Sequence, residues 1–170
     1  VDAVGTVMDA AGVERAVIAG NSMGGWVSWR FALANPERTA GLVLIDSAGA
    51  ETDEDIEPYL AAKIMQSKFG RFLTPRITPK AVIRKTLTQV VYDDAQVTDD
   101  MVARYYDLAH FPGTRDAMND RATTPREIGM FSKVDQISVP TLILWGEHDV
   151  TIPVSHGQAF NAKIPSSKLI

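Results

Sequence analysis

Two stretches of this chain are apolar at nearly every position, Gly41–Asp46 (GLVLID) and Pro140–Trp145 (PTLILW). A strand with one wet face alternates apolar with polar residues. A short continuous apolar run instead reads as a strand covered on both faces, the kind found in parallel sheets. A third run, Val13–Ala19 (VERAVIA), is β-branched and apolar at its end and reads as a strand too. Before it, Val4, Val7, Met8 and Ala11 recur at helical spacing, with Gly12 placed to end that helix. Trp26–Ala34 carries a second helical pattern that Asn35-Pro36 stops, and Pro153–Lys163 a third. Lys168–Ile170 begins a further strand. Strands alternating with helices imply an α/β fold, a parallel sheet with helices on both faces.

Between Ala50 and about Val134 the strand-like runs vanish. Thr78-Pro79, Thr98-Asp99-Asp100 and Thr124-Pro125 look like helix starts, each joining a capping hydroxyl to Pro or to acids in the first turn. Helices are expected over Asp55–Phe69, Pro79–Tyr92, Asp99–His110 and Arg115–Ala122. The expected organisation is therefore an α/β core over 1–50, a helical insertion over 51–133, and a return to the α/β core over 134–170.

Composition narrows the function. Of 170 residues, 45% are apolar and 22% charged, enough for a globular core. Seventeen basic against twenty-one acidic residues give a net charge of −4, and no basic run offers itself to a phosphate backbone. Nucleic acid and anionic membrane surfaces are poor partners for such a chain. The absence of cysteine excludes disulfides, a Cys nucleophile and Cys-ligated zinc. It fits a reducing, cytoplasmic compartment. No stretch approaches the roughly 18 apolar residues of a membrane span.

The chemistry concentrates in Gly20-Asn21-Ser22-Met23-Gly24. A bare G-x-S-x-G arises by chance in roughly one chain in twenty of this length. Here it follows a strand and opens a helix, the context in which a sharp turn lifts a serine Oγ clear of the backbone. Such a turn is expected to exclude side chains at both Gly20 and Gly24. The helix start leaves backbone N–H groups without partners, and the Met23 N–H is placed to donate to a developing oxyanion. Trp26, one helical step on, is a candidate for the substrate pocket.

VIAGNSMGGWVSWRFALANPERTAGLVLIDSAG and ISVPTLILWGEHDVTIP resemble the nucleophile-elbow and acid-bearing segments of bacterial α/β-hydrolases. GNSMGG in particular is similar to the esterase-like and meta-cleavage-product (C–C bond) hydrolase branches. The resemblance covers residues 1–50 and 133–170, and the helical middle sits where that family inserts its cap or lid. It implies Ser22 as nucleophile and Asp149 as the acid that holds the catalytic histidine. Asp46 is the rival acid, because it also ends a strand and some members of the family place the acid there. Glu147 reads as a loop carboxylate.

The resemblance also implies missing parts. The histidine should follow the strand beginning at Lys168, and none of His110, His148 and His156 stands at that position; the catalytic His is expected outside this chain. His110 is a candidate pocket residue; His148 and His156 read as loop and helix residues. No His-Gly motif for a second oxyanion donor precedes Ser22. The chain is thus expected to be a partial α/β-hydrolase fold from a protein of roughly 270–330 residues, holding its fifth to eighth strands and inactive alone. Tyr105, Tyr106, Phe111, Trp29 and Phe131 are further pocket or core candidates. The function implied is that of a serine hydrolase acting on a small to medium carboxylic ester. Cleavage of a C–C bond in a vinylogous diketone is the second choice, and a non-catalytic ligand-binding homologue the third. Ser at position 22 argues against epoxide hydrolases and haloalkane dehalogenases, which need Asp there. No metal or organic cofactor is implied.

Overall fold

The computed structural model describes residues 1–52, 63–64, 67, 69–70, 78–123 and 129–170. In chain order the elements are α1 (Asp2–Ala10), β1 (Ala16–Asn21), α2 (Met23–Ala34), β2 (Thr39–Ile45), α3 (Lys80–Val90), α4 (Asp99–His110), α5 (Thr114–Thr123), β3 (Thr141–Leu144), α6 (Val154–Lys163) and β4 (Ser167–Leu169). Short 3₁₀ turns occupy Pro36–Arg38, Asp94–Gln96 and Met130–Gln136. The chain divides into two compact units, Val1–Asp55 with Glu127–Ile170, and Ile56–Arg126.

The first unit holds one sheet of four parallel strands in the order β1-β2-β3-β4. Both long apolar runs become interior strands, β2 and β3, as their composition requires. Ile18, Leu42, Leu44 and Ile143 fall on one face of the sheet by register. There they pack with Trp29 and Ala32 of α2, Phe160 of α6, Phe131 and Val134. The opposite face, Val17, Val43 and Leu142, is less covered, and Val17 is 61% exposed. Helices are expected on both faces; among the described residues the buried cluster that joins α2 and α6 to the sheet lies on one.

Strand β1 starts three residues later than Val13. The reason lies in two arginines. Arg38 donates to the carbonyls of Val13 and Glu14, and Arg15 donates to the Thr39 carbonyl. Side-chain bonds thereby replace the ladder at that end. Helix α2 starts earlier than Trp26, because the turn consumes only Ser22 and the glycines at 24 and 25 are already helical.

The second unit has its own small core of Ile83, Leu87, Val97 and Val102, contributed by α3, α4 and the segment between them. Thr98 caps α4 by accepting the Met101 N–H at 3.1 Å, and two acids follow in its first turn. Helix α3 begins with Pro79 in the capping position and no side-chain cap. The expected helix over Asp55–Phe69 and the Thr124-Pro125 start fall largely or wholly outside the described residues.

Candidate active site

The turn at Ser22 is built by backbone geometry. Ser22 has φ 52°, a left-handed conformation uncommon for a residue with a Cβ. Its N–H donates to the Ile45 carbonyl at 2.9 Å, and its own carbonyl accepts from Trp26 N–H (3.1 Å) and Ala48 N–H (3.0 Å). The serine is thus pinned to β2, to the loop after β2, and to the first turn of α2. Positive φ at such a clamped residue costs of order 1–3 kcal/mol and persists only when its surroundings fix it. Its side-chain hydroxyl makes no hydrogen bond to a described residue.

The glycines divide differently from the expectation. A Cβ on Gly20 would lie 2.2 Å from the Gly24 carbonyl carbon and oxygen, so no side chain fits there. A Cβ on Gly24 meets nothing within 4 Å. The second crowded glycine is Gly25, whose Cβ would lie 2.4 Å from Ser47 Oγ, where α2 crosses the end of β2. Gly24 is therefore not excluded sterically, because its outward direction faces open space; only the doublet Gly24-Gly25 hinted that a third glycine carried the packing.

Asp149 lies in the loop after β3. Its N–H donates to the Gly146 carbonyl at 3.1 Å. Its Oδ1 accepts Thr151 N–H at 2.7 Å and Ile152 N–H at 3.0 Å. The Trp145 indole N–H closes the same loop onto the Ile152 carbonyl at 2.8 Å. All of the side-chain bonds go to Oδ1, so among the described residues Oδ2 accepts none. Asn21, Ile45 and Leu144 are in register across β1, β2 and β3. Ser22 and Asp149 consequently leave the same carboxyl edge of the sheet, from strands two spacings or roughly 10 Å apart.

Asp46, between them, has φ 41°. Its Oδ1 accepts Gly146 N–H at 2.8 Å. Glu147 and His148 are exposed in the loop. Met23 directly follows the serine; its side chain is 55% exposed, and its N–H has no acceptor among the described residues. Trp26 packs along the core with Gly49 against its edge and the Arg30 guanidinium 4.5 Å over its ring. Trp29 and Phe131 are buried core residues. His156 is buried on α6, with Nε2 3.1 Å from Thr52 Oγ1. In the second unit His110 stacks on Tyr106 at 3.9 Å and its Nδ1 lies 2.7 Å from the Tyr106 carbonyl. Tyr105 and Phe111 are exposed on that unit. No three His, Asp or Glu groups among the described residues are disposed to hold a metal. No helix among them is long and apolar enough to cross a membrane.

A serine on a strained strand-to-helix turn, over a parallel sheet, matches a known family along the whole chain. The family model for the alpha/beta hydrolase fold matches residues 1–170. The chain belongs to the α/β-hydrolase family. It is 32% identical to a 2-hydroxy-6-oxononadienedioate/2-hydroxy-6-oxononatrienedioate hydrolase of Pseudomonas putida, over 96% of this chain and 56% of that protein. It is 30% identical to a protein of the same name from Cupriavidus pinatubonensis, again over 96% of this chain and 56% of that protein. Among solved structures it resembles a meta-cleavage product hydrolase from Pseudomonas fluorescens, with a TM-score of 0.76 and 23% identity over 96% of this chain and 58% of that one. That likeness speaks to the fold. The chain spans about half the length of the curated relatives it matches.

Proposed function

We propose that this α/β-hydrolase is a serine hydrolase that cleaves a C–C bond in a 2-hydroxy-6-oxo-dienoic acid or a related vinylogous diketone. Ser22 serves as nucleophile and Asp149 as the acid of the triad. The observation that supports the nucleophile is the clamped positive φ of Ser22, with its N–H and carbonyl both bonded and its hydroxyl unengaged among the described residues. The named activity of the relatives at 30% and 32% identity favours C–C cleavage over the carboxylic ester expected from sequence.

The chemistry needs few parts. Ser22 Oγ loses its proton to a histidine beyond Ile170 and attacks the 6-oxo carbon. The substrate reacts as its keto tautomer, in which the 2-hydroxyl proton has moved to C5 and C2 carries an oxo group. The C5–C6 bond breaks, its electron pair runs through the 3-ene onto the C2 oxygen as a dienolate, and the histidine returns its proton to that oxygen, releasing a 2-hydroxy-2,4-dienoate. Water then releases the acid held on the serine. The Met23 N–H donates to the oxygen of the tetrahedral intermediate, and Asp149 Oδ2 accepts the histidine Nδ1–H. The helical insertion is proposed as the cap that the family resemblance implies.

The test uses the complete protein with a 2-hydroxy-6-oxo-dienoate, followed by loss of its visible absorbance, beside a p-nitrophenyl ester. A higher kcat/KM for the dienoate is expected. S22A should lower turnover by about three orders of magnitude or more and abolish labelling by a fluorophosphonate. Ester turnover far above dienoate turnover returns the assignment to an esterase. No labelling at Ser22 removes the serine mechanism altogether.

A further inference from the structure

Among the described residues only two non-glycine residues have positive φ, Ser22 and Asp46. They occupy equivalent places, one residue beyond the ends of adjacent strands whose last residues, Asn21 and Ile45, are paired. Ser22 uses its turn to present a hydroxyl. Asp46 uses its turn for something the proposed chemistry does not yet account for.

The Asp46 N–H donates to the Leu144 carbonyl at 3.0 Å, the last regular rung between β2 and β3. The backbone then turns away, and the carboxylate takes over. Asp46 Oδ1 accepts the Gly146 N–H at 2.8 Å, supplying the acceptor that a continuing strand would have given. Gly146 is also the residue whose carbonyl takes the Asp149 N–H at 3.1 Å. A Cβ built on Gly146 would lie 3.8 Å from both Asp46 Oδ1 and Asp149 Cβ. The links run without a break: Ser22 N–H to Ile45, Asp46 side chain to Gly146, Gly146 carbonyl to Asp149, Asp149 Oδ1 to Thr151 and Ile152. The side-chain oxygen satisfies a backbone N–H that the ladder no longer can.

We infer that Asp46 is a positioning residue for the acid. Its carboxylate fixes the Gly146 peptide, and through it the Asp149 loop, so that Oδ2 of Asp149 keeps one direction relative to Ser22. The inference rests on Ser22 and Asp149 having the roles proposed above. It assigns Asp46 an acceptor's task, in which an oxygen at Oδ1 matters and the negative charge does not. A triad acid differs on this point, since it must carry charge to stabilise the imidazolium.

The experiment compares D46N, D46G, D46A and D149N in the complete protein, reading kcat and KM on the dienoate and the rate of fluorophosphonate labelling at Ser22. Asn keeps the Oδ1 acceptor and tolerates positive φ. Gly removes the side chain while suiting the conformation, and Ala provides the same deletion in a second background. Misplacement of a catalytic group by about 1 Å can cost of order 100-fold, so D46G and D46A are expected to lose about 10- to 100-fold in kcat and labelling rate. KM should stay within about twofold, because ground-state binding is untouched. D46N should recover kcat to within about threefold of the parent, while D149N should not. Parent-level kcat in D46G or D46A overturns the inference. Equal losses in D46N and D149N overturn it as well, making Asp46 the acid itself. If one deletion variant fails to fold, the other and the contrast between D46N and D149N still decide. An unlabelled Ser22 in the parent protein overturns the hydrolase reading and this inference together; labelled Ser22 with unaffected Asp46 variants overturns only the latter.

Discussion

Gly20 and Gly24 frame the serine symmetrically in the sequence and unequally in space. A side chain on Gly20 would run into the Gly24 backbone, which no rotamer can relieve, whereas one on Gly24 would face open space. G20A should destabilise the protein by about 3 kcal/mol or more, at or beyond the upper end of ordinary overpacking. G24A should be neutral or gain up to about 1 kcal/mol, since Ala suits a helix better than Gly. Thermal unfolding of the two variants measures the contrast, and equal losses would refute the assignment of the crowding to Gly20. G25A should fall near G20A, because Ser47 lies beneath it in a buried position. Residue by residue, the turn at Ser22 was legible because its motif is local: five consecutive residues set it. The second crowded glycine and the tie from Asp46 to Gly146 were not. Both depend on which strand ends lie side by side, and residues 46 and 146 become neighbours only through the sheet. The Asp149 loop was partly legible. Its Asx-type bonds to Thr151 and Ile152 are local, and they leave the other carboxylate oxygen for the role proposed for it.

Among the elements, the ones read best were those with a local stop signal and a strong apolar pattern. Helix α4 spans the expected Asp99–His110 because Thr98 and the two acids after it define its start. Strand ends were read less well, because the bonds that cut β1 short join it to residues more than twenty positions away, Arg15 to Thr39 and Arg38 to Val13. The 3₁₀ segment Met130–Gln136 was not anticipated, although Phe131, Val134 and Ile137 are buried at a strict three-residue spacing, which is that helix's own period. Their burial ties the segment to α6. Phe160 is fully buried, edge-on to Phe131 at 5.1 Å and tilted against Trp29 at 6.2 Å. F160A removes the ring that α2, α6 and the 3₁₀ segment share. The expected loss is about 3–5 kcal/mol, read as a lower denaturation midpoint at unchanged slope. A loss below about 1 kcal/mol would mean the site collapses around the cavity, and that these three elements do not depend on one another as argued.

At the scale of the whole molecule, the sequence changes period near residue 50 and again near 134, while the compact units divide after Asp55 and after Arg126. The described residues form two buried clusters. One, around Leu44, Ile143 and Phe160, serves the sheet and the residues at its carboxyl edge. The other, around Ile83, Leu87, Val97 and Val102, serves α3 and α4 among the described residues. A chain with two cores opens in parts, and the part with fewer buried residues opens first. Leu87→Ala should therefore act locally. Its cavity costs about 2–5 kcal/mol, and this should fall on the amides of α3 and α4. Hydrogen exchange should show their protection falling while the interior strands β2 and β3 exchange as in the parent. The reverse substitution of Phe160 should expose the sheet and leave the exchange of α3 and α4 little changed. If Leu87→Ala instead lowers protection in β2 and β3 by as much as in α3, the chain unfolds as one cooperative body. The cap proposed for the second unit would then lack the independent stability that a moving lid requires, and the alternation of apolar periods along the sequence would mark packing layers within one core.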